Sequence, residues 1–506
     1  MYIVTADEMY DIDRFTMEQV GLDGKMLMEN AGRAVAERIE SLGGKSDRIL
    51  IVVGSGNNGG DGFVIARTLF NKGYNVEIVQ IVPDKKVSGD ALFHKTLFMS
   101  LGGQLAVTKD PEKIRKKVRK ADIVVDAILG IGVNGMLRDP VAKIVSILNE
   151  EADRIISIDL PSGLPADEGM TEFLAVEASQ TFVIEHPKIS TFLQHTAPYY
   201  GEWETVPIGL SANENGVRID RMVWGESNFR RSMPVRKMDS HKGDHGKGLI
   251  VGGNTVMPGS IAMSVKAALR TGAGLVTAGT TETVIPAVAA HCPEATYLLL
   301  GEKEIKPDAN RTVSFDGFDA TAVGMGMGRH DNAGKLVSRL VEDTLGPLIV
   351  DADGLHHLKP IISKVKERQH PTILTPHPGE MAMLLDTTVP ELLAQPFSFS
   401  KEFAAEHQVY IVLKGQFTII TAPDGRQAVN ITGNPGLAKG GSGDVLSGMI
   451  LAMVMQKLSM FEALSNACFV HGKSADLLVA ETHSEYDLLA SDVIEGIAKV
   501  YRTFLK

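Results

Sequence analysis

The sequence predicts an α/β fold in two domains, each built around a largely parallel sheet with helices on both faces. Three observations predict it. Short apolar runs recur along the 506 residues, segments with helical apolar spacing separate them, and the same alternation begins again in the second half. Strands of a parallel sheet are buried on both faces, so they read as continuous apolar runs joined by helices.

The first half contains five runs that predict strands: RILIVVG, NVEIVQIV, DIVVDAILG, RIISIDLPSG and QTFVIEHPK. Between the first two, FVIARTLFNKG has helical spacing, and Gly73 is the expected helix stop. The second half predicts strands in GKGLIVGGN, GLVTAGT, DATAVGMG, PLIVDADG, PTILTPHPG and VYIVLKG. In FTIITAPDGRQAVNITG, the Asp424-Gly425 turn predicts a hairpin.

A polar stretch, IGLSANENGVRIDRMVWGESNFRRS, separates the two halves. We place the boundary between Asn213 and Gly225 and expect domains of residues 1–218 and 225–506. Parallel sheets with exposed helices often assemble, so we expect a homo-oligomer.

The composition limits the classes of function that are expected of this chain. Lys and Arg total 51 and Asp and Glu total 62, a net charge of −11. Together with a pI near 5.7, this argues against broad binding of nucleic acid or an anionic membrane, and small-molecule substrates are expected. No metal or redox spacing links Cys292 and Cys468, so both are expected to be reduced and buried. The acidic start does not resemble a signal peptide, and no apolar run is long enough to span a bilayer, so a cytoplasmic location is expected.

The loop GSGNNGGDGF follows the first predicted strand and opens a helix, where free amide groups favour an anion. Its G-x-G-x-x-G spacing fits a nicotinamide dehydrogenase, with Glu77 as the ribose-binding acid. Three features weaken that interpretation. Two asparagines occupy positions where small residues are favoured, Asp61 would repel a pyrophosphate, and Glu77 lies inside its strand pattern.

Other strand ends bring polar groups to the same edge of the sheet: Asp126 and the segment from Gly130 to Met136 follow the third run, and Asp159 and Ser162 follow the fourth. Carboxylates, amides and a hydroxyl that converge on one crevice suit acid–base chemistry or a monovalent cation. Each Asp alone has the alternative role of capping a helix or turn.

GNNGGDGF, VVDAILGIGVNG and IDLPSG, in this order, resemble the epimerase half of the bifunctional NAD(P)H-hydrate repair enzymes, a Rossmann-like three-layer domain. The resemblance implies a potassium ion held with the help of Asn58, Asp126 and Ser162. It implies catalysis through Asp159 or Asp61, with the choice left open. The hydrate-binding residues it implies are Asn57, Asn58, Gly59, Gly60, Asp61, Gly130, Ile131, Gly132, Val133, Asn134, Gly135, Met136 and Asp159. Ile131 stands where the family usually has Thr, which removes one hydroxyl contact.

Hydration of the nicotinamide ring places a hydroxyl on C6, beside the ring nitrogen. That centre inverts if proton transfer assists cleavage of the C–O or the C–N bond, and a carboxylate is a suitable relay. The resemblance therefore implies interconversion of the R and S hydrates.

The second half contains NITGNPGLAKGGSGDVLSGMI, in which Gly440, Gly441 and Gly443 precede an apolar helical pattern. This predicts amide groups aimed at phosphate from a helix N-terminus. It is not a Walker loop, because G-x-x-x-x-G-K-[ST] is not satisfied. Asp444 is placed to act as a base toward a substrate hydroxyl, and the alternative is a helix-capping Asp.

TPHPGEM, VDADG, GMGMG, LKGQFT and SHKGDHGKG occupy further strand ends and loops of the second half. With the GGSGD helix start, they resemble the ADP- or ATP-dependent hydrate dehydratase, a ribokinase-like fold, from about Arg236 onward. The resemblance implies Asp444 as the catalytic residue and a hydrate pocket at Gly259, Gly326, His377 and Asp444. The nucleotide-binding residues it implies are Lys414, Gly415, Gln416, Phe417, Thr418, Gly440, Gly441, Ser442 and Gly443. GMGMG stands where the family usually has GPGLG, so the loop keeps its glycines and lacks the proline.

In this interpretation, ADP or ATP with Mg²⁺ phosphorylates the C6 hydroxyl of the S hydrate, and the ring nitrogen then expels phosphate. Two alternatives remain: a ribokinase-like vitamin-precursor kinase fused to a nucleotide-binding module, and a first half that binds a ligand or protein without catalysis. The NNGGDG element favours repair over the first, and Asp61, Asp126 and Asp159 argue against the second.

Overall fold

The computed structural model describes residues 1–133, 135–210, 217–300 and 313–505. The chain divides into two compact units, Met1–Ile219 and Asp220–Lys506. Each unit is built on a sheet covered by helices, as the apolar runs predicted.

The described part of the first unit contains a seven-stranded, fully parallel sheet. Its strand order is β3-β2-β1-β4-β5-β6-β7. Strands are therefore added to one side of β1 up to β3, and to its other side from β4 onward, so the strand order changes direction between β1 and β4. Ligands bind at such a switch point, outside the carboxyl ends of the strands. The strands are β1 (Arg48–Val53), β2 (Asn75–Gln80), β3 (Gln104–Val107), β4 (Ile123–Ala127), β5 (Ile155–Ile158), β6 (Gln180–Ile184) and β7 (Glu202–Val206).

Helices lie on both faces of this sheet, and their apolar sides pack against β1 and β4. The helices are α1 (Ala6–Phe15), α2 (Gly24–Leu42), α3 (Asn57–Asn71), α4 (Gly89–Ser100), α5 (Pro111–Val118) and α6 (Val141–Glu151). Helix α1 begins at a capping box in which Thr5 and Glu8 bond each other's backbone amides, and a π-helical turn, Thr16–Val20, follows it.

The turn from β1 into α3 is tight because Gly54 lies against the Ile128 carbonyl, where a Cβ atom would clash. That approach brings the loop after β1 next to the loop after β4. The two loops that the sequence placed at one edge of the sheet are therefore neighbours.

The second unit contains a ten-stranded mixed sheet in its described residues, in the order β11-β10-β9-β12-β13-β14-β15-β16-β17-β8. The strands from β11 to β15 in this order are parallel, and the predicted hairpin forms the antiparallel β16–β17 pair. The strands are β8 (Arg221–Val223), β9 (Lys247–Val251), β10 (Leu275–Thr280), β11 (Thr296–Leu299), β12 (Ala320–Val323), β13 (Leu348–Val350), β14 (Thr372–Leu374), β15 (Tyr410–Leu413), β16 (Thr418–Thr421) and β17 (Gln427–Asn430).

Two helices of this unit, α8 and α15, pack so closely that a Cβ atom on Gly448 would clash with the Ser264 backbone. Their N-termini therefore meet at the carboxyl ends of the parallel strands. The helices are α7 (Glu226–Ser232), α8 (Pro258–Thr271), α9 (Ile285–His291), α10 (Asp331–Asp343), α11 (Asp353–Leu358), α12 (Pro378–Leu385), α13 (Val389–Ala394), α14 (Pro396–His407), α15 (Ser442–Val454), α16 (Met460–Glu481) and α17 (Ala490–Phe504).

Cys292 and Cys468 are free thiols buried in the core of the second unit, as predicted. Within the described ranges, no helix combines the length and apolar character that crossing a bilayer requires. The predicted fold class is confirmed in both units.

Candidate active sites

The first site is a cavity of about 370 Å³ at the carboxyl ends of β1, β4, β5 and β6 in the first unit. The strand ends form one wall, and α1 and α2 contribute another. Of the residues that sequence reasoning predicted, the cavity is lined by Asn57, Asn58, Asp61, Gly130, Ile131, Gly132, Val133 and Asp159.

Asn58 lies in the first turn of α3 and is 6% exposed. Its Nδ2 donates to the carbonyl oxygens of Leu129 (2.6 Å) and Ile158 (3.2 Å), which fixes the side chain between two strand ends. Its Oδ1 is buried and has no hydrogen-bond partner among the described residues. An unpaired buried acceptor is costly, so this oxygen is suited to hold a cation or a ligand donor.

Ser162 shares the contact of Asn58 with the Leu129 carbonyl, and Asp126 is hydrogen-bonded to Ser162. Ser162 Oγ donates to Asp126 Oδ1 (2.5 Å) and lies 3.2 Å from the Leu129 oxygen, while Ser157 donates to Asp126 Oδ2. Burial raises the pKa of Asp126, although these hydrogen bonds oppose the rise. The three predicted metal ligands thus lie in one buried, oxygen-rich cluster.

Asp159 follows β5 in a left-handed backbone conformation, with φ of 68°. Its Oδ1 accepts a hydrogen bond from the Ile184 amide (3.1 Å) and an ion-paired one from Lys188, which is 1% exposed. The strained backbone and the buried ion pair hold the carboxylate at the cavity wall.

Two other carboxyl groups in the cavity resist ionisation. Burial, and then the charges of Asp159 and Asp13, raises the pKa of Asp61 well above its usual range. Burial, and then the charge of Asp159, raises the pKa of Asp13 to about 6, although Lys188 opposes the rise. The cavity therefore combines an ion-paired carboxylate with acids that hold protons near neutral pH.

The other predicted residues lie outside the cavity wall. Gly59 and Gly60 are buried beneath the loop, where a Cβ atom on Gly60 would clash with Met28. Gly135 has φ of 82°, and Met136 is 61% exposed. Asn134 lies outside the described residues.

Ile131 packs among apolar side chains at the cavity mouth, so the position usually held by Thr contributes apolar surface here.

The structure contradicts the dehydrogenase alternative at Glu77. This side chain lies in the middle of β2, opposite Leu50, and forms an ion pair with Lys117. It therefore lies away from the strand end where a ribose-binding acid is placed.

Sequence reasoning missed three charged groups of the cavity: Lys188, Asp13 and Asp90, the last of which lies in the first turn of α4. Lys188 follows β6 in the quoted run QTFVIEHPK, so its position at a strand end was an available signal. Asp13 lies on α1, which reaches the cavity through tertiary packing, and no local pattern marks it.

The second site lies where α15 begins beside the ends of β13 and β15. Lys414, after β15, donates to the buried Asp351 carboxylate at 2.8 Å, and Ser447 of α15 donates to it at 2.6 Å. Burial opposes the charge on both Lys414 and Asp351. Their mutual attraction outweighs this effect of burial. As a result, the pKa of Asp351 is lowered and the pKa of Lys414 is raised.

Helix α15 begins at Ser442 and follows Gly441, which has φ of 96° and would be strained with a side chain. Gly440 is exposed and has open space where a Cβ atom would lie, and a Cβ atom on Gly443 would be 3.4 Å from Lys414 Nζ. The helix tip is thus open, and it presents backbone amides beside a lysine.

Asp444 lies in the first turn of α15. Burial, and then the charge of Asp351, raises its pKa to about 6, while a hydrogen bond from Ser260 and the charge of Lys414 oppose the rise. A carboxylate with this pKa is a competent general base near neutral pH.

Two of the predicted hydrate-pocket residues, Gly259 and Gly326, lie beside Ser260, which hydrogen-bonds Asp444. Gly259 lies in the first turn of α8 with open space around it, and Gly326, with φ of 61°, packs against Ser260 of the same turn. His377 caps α12, where its Nδ1 accepts from the amides of Gly379 (3.0 Å) and Glu380 (3.2 Å), and it remains 56% exposed.

His471 of α16 was not predicted from sequence. It is buried, hydrogen-bonds the backbone of Ser442, and has a pKa lowered to about 4 by burial. This neutral imidazole therefore contacts the backbone at the start of α15. In the parts of the chain that the structure describes, no three His, Cys, Asp or Glu side chains are arranged to hold a metal ion.

Two family models match this chain. The model described as "YjeF-related protein N-terminus" matches residues 24–190, and the model described as "NAD(P)H-hydrate dehydratase" matches residues 248–499. Among solved structures, an ADP/ATP-dependent NAD(P)H-hydrate dehydratase from Bacillus subtilis, co-crystallised with ATP/Mg²⁺, is 36% identical with a TM-score of 0.50. It covers 56% of this chain and 98% of its own. A ribokinase-like superfamily protein from Enterococcus faecalis, 24% identical with a TM-score of 0.50, shares the fold.

Relatives match the full chain. A bifunctional NAD(P)H-hydrate repair enzyme from Moorella thermoacetica is 33% identical over 99% of this chain and 97% of its own length. One from Escherichia coli is 30% identical over 98% of this chain and 93% of its own. This chain belongs to the family of bifunctional NAD(P)H-hydrate repair enzymes.

Proposed function

We propose that this chain repairs hydrated NADH and NADPH with two activities. Residues 1–218 epimerise the R and S hydrates at C6, and residues 225–506 dehydrate the S hydrate with ADP or ATP. The observation that carries the proposal is Asp444, with a pKa near 6, in the open first turn of α15 beside Lys414. Family membership supports both activities.

The dehydratase step begins with Asp444 accepting the proton of the C6 hydroxyl. The oxygen attacks the terminal phosphoryl group, whose charge is stabilised by the amides from Gly440 to Gly443 and by Lys414. Phosphate is a better leaving group than hydroxide, so the lone pair of the ring nitrogen expels it and forms a C6=N1 double bond. Loss of a proton from C5 then returns the electrons to nitrogen as the C5=C6 double bond forms, which restores the dihydronicotinamide. Asp351 keeps Lys414 charged and oriented throughout.

Mg²⁺ enters with the nucleotide in this proposal, since the Bacillus subtilis relative was co-crystallised with ATP/Mg²⁺. It would screen phosphate charge. The carboxylates of Asp351, Asp353 and Asp444 influence one another's charge at this site, which provides an acidic environment for the cation.

The epimerase step takes place in the cavity of the first unit. A carboxyl group assists cleavage at C6 by proton transfer, and Asp159 and Asp61 both line the cavity for this role. The amides at the start of α3 and the loop after β4 hold the nucleotide.

A potassium ion fits beside this cavity. Asn58 Oδ1 is a buried oxygen without a partner, and the oxygens of Asp126 and Ser162 lie in the same cluster. Oxygen donors of this kind suit a hard monovalent cation. When bound, potassium would supply positive charge that holds the loops after β1 and β4 together.

The test is to incubate mixed R and S hydrates with ADP, with ATP or with neither. We expect interconversion without nucleotide and complete return of the dihydronicotinamide absorbance with the preferred nucleotide. Phosphorylation of a vitamin precursor with no effect on NADH hydrate would instead support a fused kinase. Preference between NADH and NADPH hydrates is read from the same assay, and a homo-oligomer in the cytoplasm remains our prediction.

A further inference from the structure

Helix α1 brings a carboxyl group into the epimerase cavity from outside the sheet. Asp13 lines the cavity on the same helix as Tyr10. Asp61 and Asp159 reach the cavity from the loops and helices that follow β1 and β5. The reacting ring is therefore approached by carboxyl groups from two separate structural elements.

The charges in this cavity do not balance. Asp13, Asp61, Asp90 and Asp159 share it with Lys188, and the ammonium group of Lys188 is ion-paired with Asp159. Carboxyl groups in one low-dielectric site cannot all ionise, so a proton stays among them. Burial and the charges of Asp159 and Glu185 raise the pKa of Asp13 to about 6, although Lys188 opposes the rise, so Asp13 is one of the groups that can hold this proton.

Inversion at C6 by the C–O route needs two proton-transferring groups. The hydroxyl leaves from one face of the ring and takes up a proton. Water then adds to the other face and gives up a proton. A single carboxyl group cannot serve both faces of the ring. Asp13 on α1 and Asp159 after β5 line the same cavity from different structural elements, which makes them candidates for the two positions.

We propose that Asp13 is a further catalytic residue of the epimerase, acting as the proton donor and acceptor opposite Asp159; this rests on the proposed function. The Asp13 carboxyl protonates the C6 hydroxyl, the C6–O bond breaks to release water, and the nitrogen lone pair forms a C6=N1 double bond. Water then bonds to C6 from the opposite face, its proton passes to the Asp159 carboxylate, and the double-bond electrons return to nitrogen. Nothing is oxidised. One proton leaves Asp13 and one arrives on Asp159, and exchange of protons with solvent water restores both groups for the next turnover.

The experiment uses the full chain without nucleotide, starting from the purified S hydrate, and measures the appearance of the R hydrate against the rate without enzyme. We expect Asp13→Asn to lower the enzymatic rate by about 100-fold or more, the usual contribution of a general acid or base. Asp13→Glu is expected to regain part of the rate. Activity is also expected to fall as pH rises through about 6, because Asp13 then loses the proton that it donates to the C6 hydroxyl.

Asp11→Asn is the matched control, because Asp11 lies on the same helix in an exposed ion pair with Arg14. It is expected to keep the wild-type rate. Thermal unfolding of the same samples, followed by circular dichroism, reports whether the first unit of each variant is folded.

An Asp13→Asn rate within twofold of the wild type overturns the proposal. An inverted product without oxygen from ¹⁸O-labelled water overturns it as well, since the C–O step requires solvent oxygen. If the wild-type chain fails to interconvert the hydrates, the proposed epimerase function itself is wrong, which is a different result.

Discussion

The ammonium group of Lys414 lies 2.8 Å from the Asp351 carboxylate, and 3.4 Å from where a Cβ atom would lie on Gly443. A buried ion pair thus supports the helix turn that carries Asp444. The pair sets the local charge at the second site, because each partner keeps the other ionised.

Removing one partner of this pair is expected to destabilise the protein. Asp351→Asn leaves Lys414 with only the more distant Glu380 carboxylate, 3.9 Å away, so we expect a cost of up to about 3–5 kcal/mol, the range for breaking a buried ion pair. Denaturant unfolding followed by circular dichroism measures the change. The double variant Asp351→Asn with Lys414→Met is expected to regain stability without regaining dehydration. An Asp351→Asn protein as stable as the wild type would show that the pair is not buried in the way described.

The dehydration rate is expected to depend on pH through Asp444. Its pKa is about 6, and a general base must be deprotonated, so kcat/KM rises as pH increases through about 6 and then levels off. Initial rates with saturating ADP from about pH 5 to about pH 8 measure this. A rate that does not change across this range contradicts the assignment of Asp444 as the base.

Potassium is expected to support epimerisation and not dehydration. Replacing potassium with lithium should slow interconversion of the hydrates, and Asn58→Ala should slow it and remove the difference between the two ions, because Asn58 Oδ1 is the open oxygen of the cluster. Isomer ratios measured in the two buffers test this. Equal wild-type rates in both buffers would exclude a potassium requirement.

Asp159→Ala is expected to slow interconversion of the hydrate isomers by about 100-fold or more, because its carboxylate lines the cavity and is fixed by Lys188. ADP-dependent dehydration of the purified S hydrate should be unchanged in this variant. If Asp159→Ala interconverts the isomers at the wild-type rate, Asp61 and not Asp159 is the carboxyl group that assists cleavage at C6.

The central strands were predictable because strands buried on both faces leave continuous apolar runs, as RILIVV does in β1. The strands β3, β7, β8 and β11 were missed. Strand β8 has three residues and lies inside the polar stretch between the two halves. The other three are four or five residues long and partly exposed, so they lack a long continuous apolar run. A strand that is buried on one face only, or on neither, lacks the continuous apolar run from which the central strands were predicted.

The location of the candidate sites was also predictable, because chain order and strand ends place Asn58, Asp61 and Asp159 at one edge of a parallel sheet. The contribution of α1 to the first site was not predictable from the sequence, because a remote helix reaches the cavity only through tertiary packing. The roles of these residues stay predictions until the variants are measured.

The central claim is that Asp444 accepts the proton of the C6 hydroxyl, so that this oxygen attacks the phosphoryl group at the N-terminus of α15. The direct measurement is ADP-dependent return of NADH absorbance from the S hydrate by Asp444→Ala, with Glu406→Gln, at an exposed helix position, as the control. We predict loss of the absorbance return in Asp444→Ala, with epimerisation intact and the control fully active. Full dehydration by Asp444→Ala would contradict the account.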